Sequence, residues 1–186
     1  MYNDELYHYG VKGMKWGRRR YQNPDGTLTD AGKRHQAKQQ RRHDKYLNKT
    51  KKKIAKSRKK VSDNRRTLRE LERDGKNHIL VDHQTKRVAD RALNRTVLRY
   101  ELLTGNKVDS KNVAVGRQIN RAFGHKNYRD QAYKEVVDET NRNIRKQTNR
   151  AKQWVAANKA VMNMPIDSSN REYRKAIRNA KKYMNH

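Results

Sequence analysis

The chain has 186 residues, with 48 Lys and Arg against 19 Asp and Glu, which gives a net charge of +29. Leu, Ile, Val and Phe together number 29 residues (10, 6, 12 and 1). Below a share of about 20%, a highly charged chain cannot easily bury enough apolar surface to offset its ordering entropy. The composition therefore disfavours a large, dry enzyme core and favours a partner-dependent chain with small local cores.

Two further absences narrow the class of protein. The chain has no cysteine, which removes disulfide frameworks, thiol nucleophiles and thiolate metal sites. No apolar run approaches the roughly 18 residues that span a bilayer, and no apolar segment of a secretory signal follows Asp4 and Glu5. We expect a protein made soluble in the cytosol, without a membrane partner.

Residues 1–29 differ from the rest of the chain. Five of the 13 aromatic residues lie in the first 21 positions and are interleaved with three glycines, which argues against a regular helix or strand. The sequence Asn-Pro-Asp-Gly at 23–26 predicts a β-turn. Thr29 or Asp30 is a suitable N-cap for a following helix. We predict an irregular N-terminal tail.

Residues 30–75 predict a long basic helical arm that ends at Gly75, a residue suited to the left-handed position after a helix. Between residues 31 and 66 there are 16 Lys and Arg and only two Asp, a net charge of +14. Like charges at i,i+3 and i,i+4 destabilise an isolated helix by some tenths of a kcal/mol per pair. A polyanion that neutralises them would stabilise the arm, although a merely solvated charged face is the alternative.

Nucleic acid is the commonest such polyanion, with acidic proteins and anionic membranes behind it. Contacts would go to the phosphate backbone without base readout. Tyr46 is the only aromatic residue in the arm, so no stacking platform for single strands is indicated. The candidate polyanion-binding residues are Arg41, Arg42, Lys45, Lys49, Lys52, Lys53, Lys56, Lys59, Lys60, Arg65 and Arg66.

The arm also carries a weak heptad pattern. Apolar residues recur every seven positions, at Leu47, Ile54, Val61 and Leu68. The companion positions are polar, at Thr50, Ser57 and Asn64, until Leu71. The apolar seam is thus one residue wide over most of its length, and we expect a coiled coil to be weak on its own.

Residues 76–186 predict a small helical body, for which formation of homo-oligomers stays open. The apolar run at 79–81 favours a strand or an ordered turn. Apolar spacing, glycines and capping residues predict helices over 83–103, from Asp109 or Ser110 to Gly124, over 126–162, and after Ser168 and Ser169. Together with the tail (1–29) and the arm (30–75), this makes a mainly α fold.

Signatures of catalysis are missing. The sequence contains no GxxxxGK[ST], GxGxxG, HExxH or GxSxG motif. His78 and His83 are five residues apart, not the four that a helical zinc site uses. The carboxylates Glu135, Asp138 and Glu139 more simply form local ion pairs with Arg142, Arg145 and Lys146. We predict no catalytic residues, no metal site and no cofactor.

The most specific motif lies in the tail. It comprises His8, Tyr9, Gly10, Val11, Lys12, Gly13, Met14, Lys15, Trp16 and Gly17, followed by Tyr21. With its flanks, over about residues 7–34, it resembles an N-terminal module of virion and head-associated proteins from tailed bacteriophages of Gram-positive hosts. The typical module has an apolar residue where this chain has Arg18. Residues 35–186 resemble no family.

This module occurs on otherwise unrelated proteins, so the resemblance implies a docking tag. Tyr9, Met14 and Trp16 would be its anchors on a pocket or sheet edge of a capsid or portal protein. The alternatives are a flexible leader without a partner and an element of the protein's own fold.

Charge and resemblance together predict a non-enzymatic structural protein of the virion head, made in the host cytoplasm. It would dock through the N-terminal motif and contact DNA or an acidic surface electrostatically. The alternative is an intracellular phage effector, for example an inhibitor of a host nuclease or CRISPR complex that binds nucleic acid or a nucleoprotein channel. Capsid scaffolding is disfavoured because a scaffold leaves before DNA enters, and this charge would retain it.

Overall fold

The computed structural model describes residues 21–23 and 25–184, and most of these residues are helical. The helices are α1 (Asp30–Asp74), α2 (Ile79–Thr104), α3 (Ser110–Phe123), α4 (His125–Met162) and α5 (Asn170–Tyr183). A 3-10 turn at Gly75–Asn77 follows α1. Within the described residues there is no strand, and Gln22 and Leu28 form an isolated bridge. The predicted mainly α fold is confirmed, whereas residues 1–20 and 24 of the predicted irregular tail (1–29) lie outside these residues.

Most helix ends coincide with the predicted capping residues. Thr29 Oγ1 accepts a hydrogen bond from the Gly32 N–H at 3.0 Å at the start of α1. Asp109 caps α3 by accepting from the Lys111 N–H, and Gly105 ends α2 with a φ of 70°. Ser169 and Glu172 form a capping box at the start of α5.

The expectation of a strand or ordered turn at 79–81 is wrong, because these residues form the first turn of α2. His78 precedes them and its Nδ1 accepts a hydrogen bond from the Leu80 N–H at 3.2 Å. Val81 is fully buried, whereas Ile79 is 81% exposed. A cap supplied by a histidine, a residue outside the usual set of N-caps, starts the helix earlier than the apolar spacing indicated.

The chain divides into two compact units. The terminal unit comprises Met1–Lys52 and Gln153–His186, and the central unit comprises Lys53–Lys152. Helices α1 and α4 therefore contribute residues to both units. The division into tail, arm and body stays a prediction.

Each unit has a small buried core. In the central unit Leu71, Val81, Val88 and Ala132 form an apolar cluster. In the terminal unit the fully buried residues include Ala157, Val161, Thr50 and Tyr173. No helix in the described part of the chain combines the length and the apolar character needed to cross a membrane.

Candidate nucleic-acid interface

In the terminal unit, α1 presents a row of cationic side chains to solvent. Arg41, Lys45, Lys49 and Lys52 are exposed. They are spaced by four, four and three residues, which places them on one face of a helix. Arg42 is only half-buried and donates a hydrogen bond from Nη1 to the carbonyl oxygen of Ser168 at 3.4 Å. Among the described residues of this unit, it is thus the one predicted arm cation with a protein oxygen partner.

The opposite side of this part of α1 is fixed by buried polar and aromatic contacts. His43 Nδ1 lies 2.8 Å from the Tyr173 hydroxyl, and the Tyr46 ring stacks on the Tyr173 ring of α5. The Thr50 hydroxyl lies 3.0 Å from Asn158 Oδ1 on α4. Because His43, Tyr46 and Thr50 occupy the inward positions, the cationic row is held outward.

In the central unit, the next part of α1 carries further exposed cations. Lys53, Lys56 and Lys60 repeat at three and four residues, and Lys59 adjoins them. Arg65 is exposed as well, but it lies nine residues after Lys56, which at about 100° per residue is half a turn away. The structure therefore does not place Arg65 on the same face as these lysines.

Almost none of the predicted arm cations is paired with a carboxylate in the described part of the chain. Among them, only Arg66 forms an ion pair with a described carboxylate, that of Glu70, at 3.6 Å. Asp44 instead accepts a hydrogen bond from Gln40 Nε2 at 3.0 Å. The exposed lysines thus form a dense positive charge along α1, which no carboxylate within residues 21–23 and 25–184 compensates.

The predicted docking motif at 8–17 lies outside the described residues, but Tyr21 is within them. Its ring stacks on His35 with ring centroids 4.6 Å apart. Its carbonyl oxygen accepts a hydrogen bond from the Thr29 N–H at 3.2 Å. The Asn23 carbonyl oxygen accepts from the Gly26 N–H at 3.0 Å, as in the predicted turn, whose Pro24 is not among the described residues.

A second basic face, which was not predicted from the sequence, lies on α5. Its apolar positions were recognised, but its cations were not assigned to the binding site. Five of these cations are exposed, namely Arg171, Arg174, Lys175, Arg178 and Lys182. The available signal was the composition of the helix, in which Glu172 is the only acidic residue.

The predicted local ion pairs of the α4 carboxylates are wrong. Glu135 reaches across to α2, where it accepts hydrogen bonds from Arg91 Nη2 and Gln84 Nε2, both at 2.6 Å. Partial burial acts to raise the pKa of Glu135, but the hydrogen bonds from these two residues and Gln131 outweigh it and leave the pKa below its usual value. Asp138 and Glu139 form no ion pair among the described residues.

Residues 21–23 and 25–184 contain no group of three or more His, Asp or Glu side chains that could hold a metal ion. In comparisons with known proteins, a family of unknown function (DUF7211) matches residues 1–23. This segment includes the predicted docking motif. No curated protein and no solved structure matches the chain.

Proposed function

We propose that this chain is a non-enzymatic structural protein of a tailed-phage virion. It would be associated with the head, attached to a capsid or portal protein through residues 8–17 and Tyr21, and in contact with the DNA backbone through α1. The observation that carries the proposal is the row of exposed α1 cations, which have no carboxylate partner among the residues that the structure describes. The resemblance of the N-terminal motif supplies the phage context.

The exposed Lys and Arg side chains of α1 form an extended row, which suits a series of phosphates better than a single small ligand. Lys and Arg bind phosphate oxygens as charges, and B-DNA carries one negative charge per ~1.7 Å of its axis. The row from Arg41 to Lys52 extends over about 16 Å of helix. It can therefore meet several phosphates at once without reading bases, which is what a protein packed with DNA requires.

The contacts of Tyr21 support an attachment role for the segment before it. Residues 18–20 are all arginine and are the only residues between the motif and Tyr21. Tyr21 itself is held to the start of α1 through His35 and Thr29. A partner that binds the motif would thus be tied closely to the basic helix, which would then lie along DNA or an acidic inner surface.

The test is peptide-level mass spectrometry of gradient-purified virions, with copy number. We expect many copies per particle, and peptides from residues 1–34 would show that the motif is present in the mature virion. Absence from virions together with presence in infected cells would overturn the structural role and favour the intracellular effector.

A second test addresses DNA contact directly in the full-length protein. The variant Lys45→Gln, Lys49→Gln, Lys52→Gln removes three charges from the α1 row. A matched control removes three exposed lysines of the central unit that lie outside α1, as Lys107→Gln, Lys111→Gln, Lys126→Gln. We expect weaker duplex binding and a shallower salt dependence for the α1 variant only. Equal effects in both variants would contradict a contact by α1.

A further inference from the structure

The five exposed cations of α5 lie close together on the helix. Taking about 100° per residue, they fall within an arc of roughly 100°. Tyr173 is fully buried and points to the opposite side. The set occupies twelve consecutive residues, or about 18 Å of helix. Helix α5 therefore has two distinct sides. Tyr173 is buried on one side, and the exposed surface on the other side is almost entirely cationic.

Contacts within the described residues do not account for this surface. Neither Arg174, Lys175 nor Arg178 forms an ion pair or a hydrogen bond with a described residue. The Glu172 carboxylate accepts a hydrogen bond from the Ser169 backbone N–H in the capping box. By contrast, the neighbouring Lys181 ammonium lies 3.7 Å from the centroid of the Trp154 ring. The outward cations repel one another at i,i+3 and i,i+4 and so weaken the helix unless an anion is present.

The terminal unit places this surface on a helix that contacts α1. The Tyr173 side chain meets both His43 and Tyr46, with the hydroxyl to Nδ1 distance at 2.8 Å and the ring centroids at 4.8 Å. Arg42 on α1 also donates to the Ser168 carbonyl just before α5. Because these contacts lie between the helices, the cationic faces of α1 and α5 point away from each other.

We infer that α5 is a second binding face for the phosphate backbone of double-stranded DNA, on the side of the terminal unit that faces away from the α1 row. The inference rests on the proposed function and extends it to residues outside the predicted arm. Two cationic faces that point away from each other suit two neighbouring duplex segments. A single strand would need exposed rings beside the cations for stacking. Lys181 lies over the Trp154 ring, and the exposed Tyr183 is about 80° or more around the helix from each of the five cations.

The experiment uses three full-length variants with equal net charge. The α5 variant is Arg174→Gln, Lys175→Gln, Arg178→Gln, and the α1 variant and central-unit control are those described above. Each is titrated with a 24-base-pair mixed-sequence duplex at several salt concentrations. Each lost phosphate contact makes the slope of log K against log salt less negative by ~0.9. The slope should become shallower by about 2.7 at the altered face of the α5 variant and of the α1 variant, whereas the control should retain the original slope.

With this change of slope, the fall in affinity between 50 and 200 mM salt is about forty-fold smaller than for the original protein. An α5 variant that behaves like the control, while the α1 variant weakens, overturns the inference and leaves the proposed DNA contact standing. If both variants behave like the control, the proposed DNA contact fails as well. Equal losses in all three variants would show that only net charge matters, which also overturns the inference.

Two further measurements separate binding from folding and fix the class of ligand. Arg174→Lys, Lys175→Arg, Arg178→Lys keeps the charge and should restore the slope, whereas a folding defect at these positions would not be rescued. Circular dichroism should report unchanged helix content for the glutamine variants. Tighter binding of a 24-nucleotide single strand than of the duplex would overturn the assignment to double-stranded DNA.

Discussion

The Tyr173 hydroxyl lies 2.8 Å from His43 Nδ1 and 3.3 Å from the carbonyl oxygen of Pro165, to which it donates. A hydroxyl has a single proton, so its oxygen accepts from a protonated Nδ1 of His43 when it donates to Pro165. Tyr173 is fully buried and its ring stacks on Tyr46. One side chain thus holds α1, α5 and the segment before α5 together.

Removal of this hydroxyl should destabilise the terminal unit. In Tyr173→Phe the ring remains, but the buried His43 loses its partner, which costs about 1–3 kcal/mol. The matched control is Tyr183→Phe, at a residue that is 86% exposed, and it should change stability by less than about 0.5 kcal/mol. Urea unfolding followed by far-UV circular dichroism measures both. Equal effects of the two variants would contradict the role of the buried hydroxyl.

The same residue predicts a pH dependence. Burial raises the pKa of Tyr173 above its usual value of 10.0. The unfolded chain therefore releases this proton first, so the contribution of Tyr173 to stability is present below pH 10 and is lost as the pH rises through the raised pKa. Unfolding midpoints between pH 8.5 and 11.5 should fall more steeply for the original protein than for Tyr173→Phe. Parallel curves would exclude this coupling.

A second buried polar contact predicts non-additive mutations. Thr50 is fully buried and its hydroxyl lies 3.0 Å from Asn158 Oδ1 and 2.8 Å from the Leu47 carbonyl oxygen. Thr50→Val should cost about 1–3 kcal/mol because the Asn158 side chain stays buried without this partner. The double variant Thr50→Val, Asn158→Leu should recover much of the loss. A double-mutant cycle of unfolding free energies measures the coupling, and additive losses would contradict it.

Thr50 also marks the limit of what the heptad pattern could predict. The periodicity correctly indicated one continuous helix over 30–74 and the inward side of it. It treated Thr50 and Ser57 as breaks in an apolar seam, yet both are buried. A hydroxyl can be buried in a core when a hydrogen-bond partner is present there. For Thr50 that partner is Asn158, which belongs to a distant segment of the chain. Hydropathy along the chain contains no information about such a partner.

The candidate site was predictable to a similar extent. Charge density in the sequence identified the exposed lysines of α1, because a solvated or ligand-bound face needs only local composition. Charge density alone could not show that Arg65 lies on a different face from the lysines, because that depends on the angular position of each residue around the helix. The ion pair of Glu135 with Arg91 depends on α2 packing beside α4, and the local rule of i,i+4 pairs missed it. The α5 cations could be recognised as a separate exposed face only after the structure showed that Tyr173 packs α5 against α1.

The last prediction concerns Gly32, where replacement of glycine by alanine should destabilise the protein although it usually stabilises a helix. Alanine normally stabilises a helix relative to glycine by about 1 kcal/mol. At Gly32 in the first turn of α1, however, a Cβ would collide with the Tyr21 carbonyl oxygen and come within 3.2 Å of Leu28 Cδ2. The backbone at Tyr21 must then move, and the hydrogen bond from the Thr29 N–H to that oxygen is lost. We expect Gly32→Ala to destabilise the protein and to speed hydrogen exchange of the Thr29 amide.

Gly116 in α3 is the matched control for this substitution. A Cβ there would lie 3.4 Å from Leu93 Cδ2, an ordinary contact with the end of a flexible side chain. Gly116→Ala should therefore follow the general rule and raise the unfolding free energy by roughly 0.5–1 kcal/mol. Thermal unfolding of both variants, with exchange at Thr29 measured by NMR, tests the pair. If both substitutions stabilise the protein and leave the Thr29 amide protected, the Tyr21 carbonyl oxygen does not lie against Gly32. The proposed connection between the N-terminal motif and α1 is then absent.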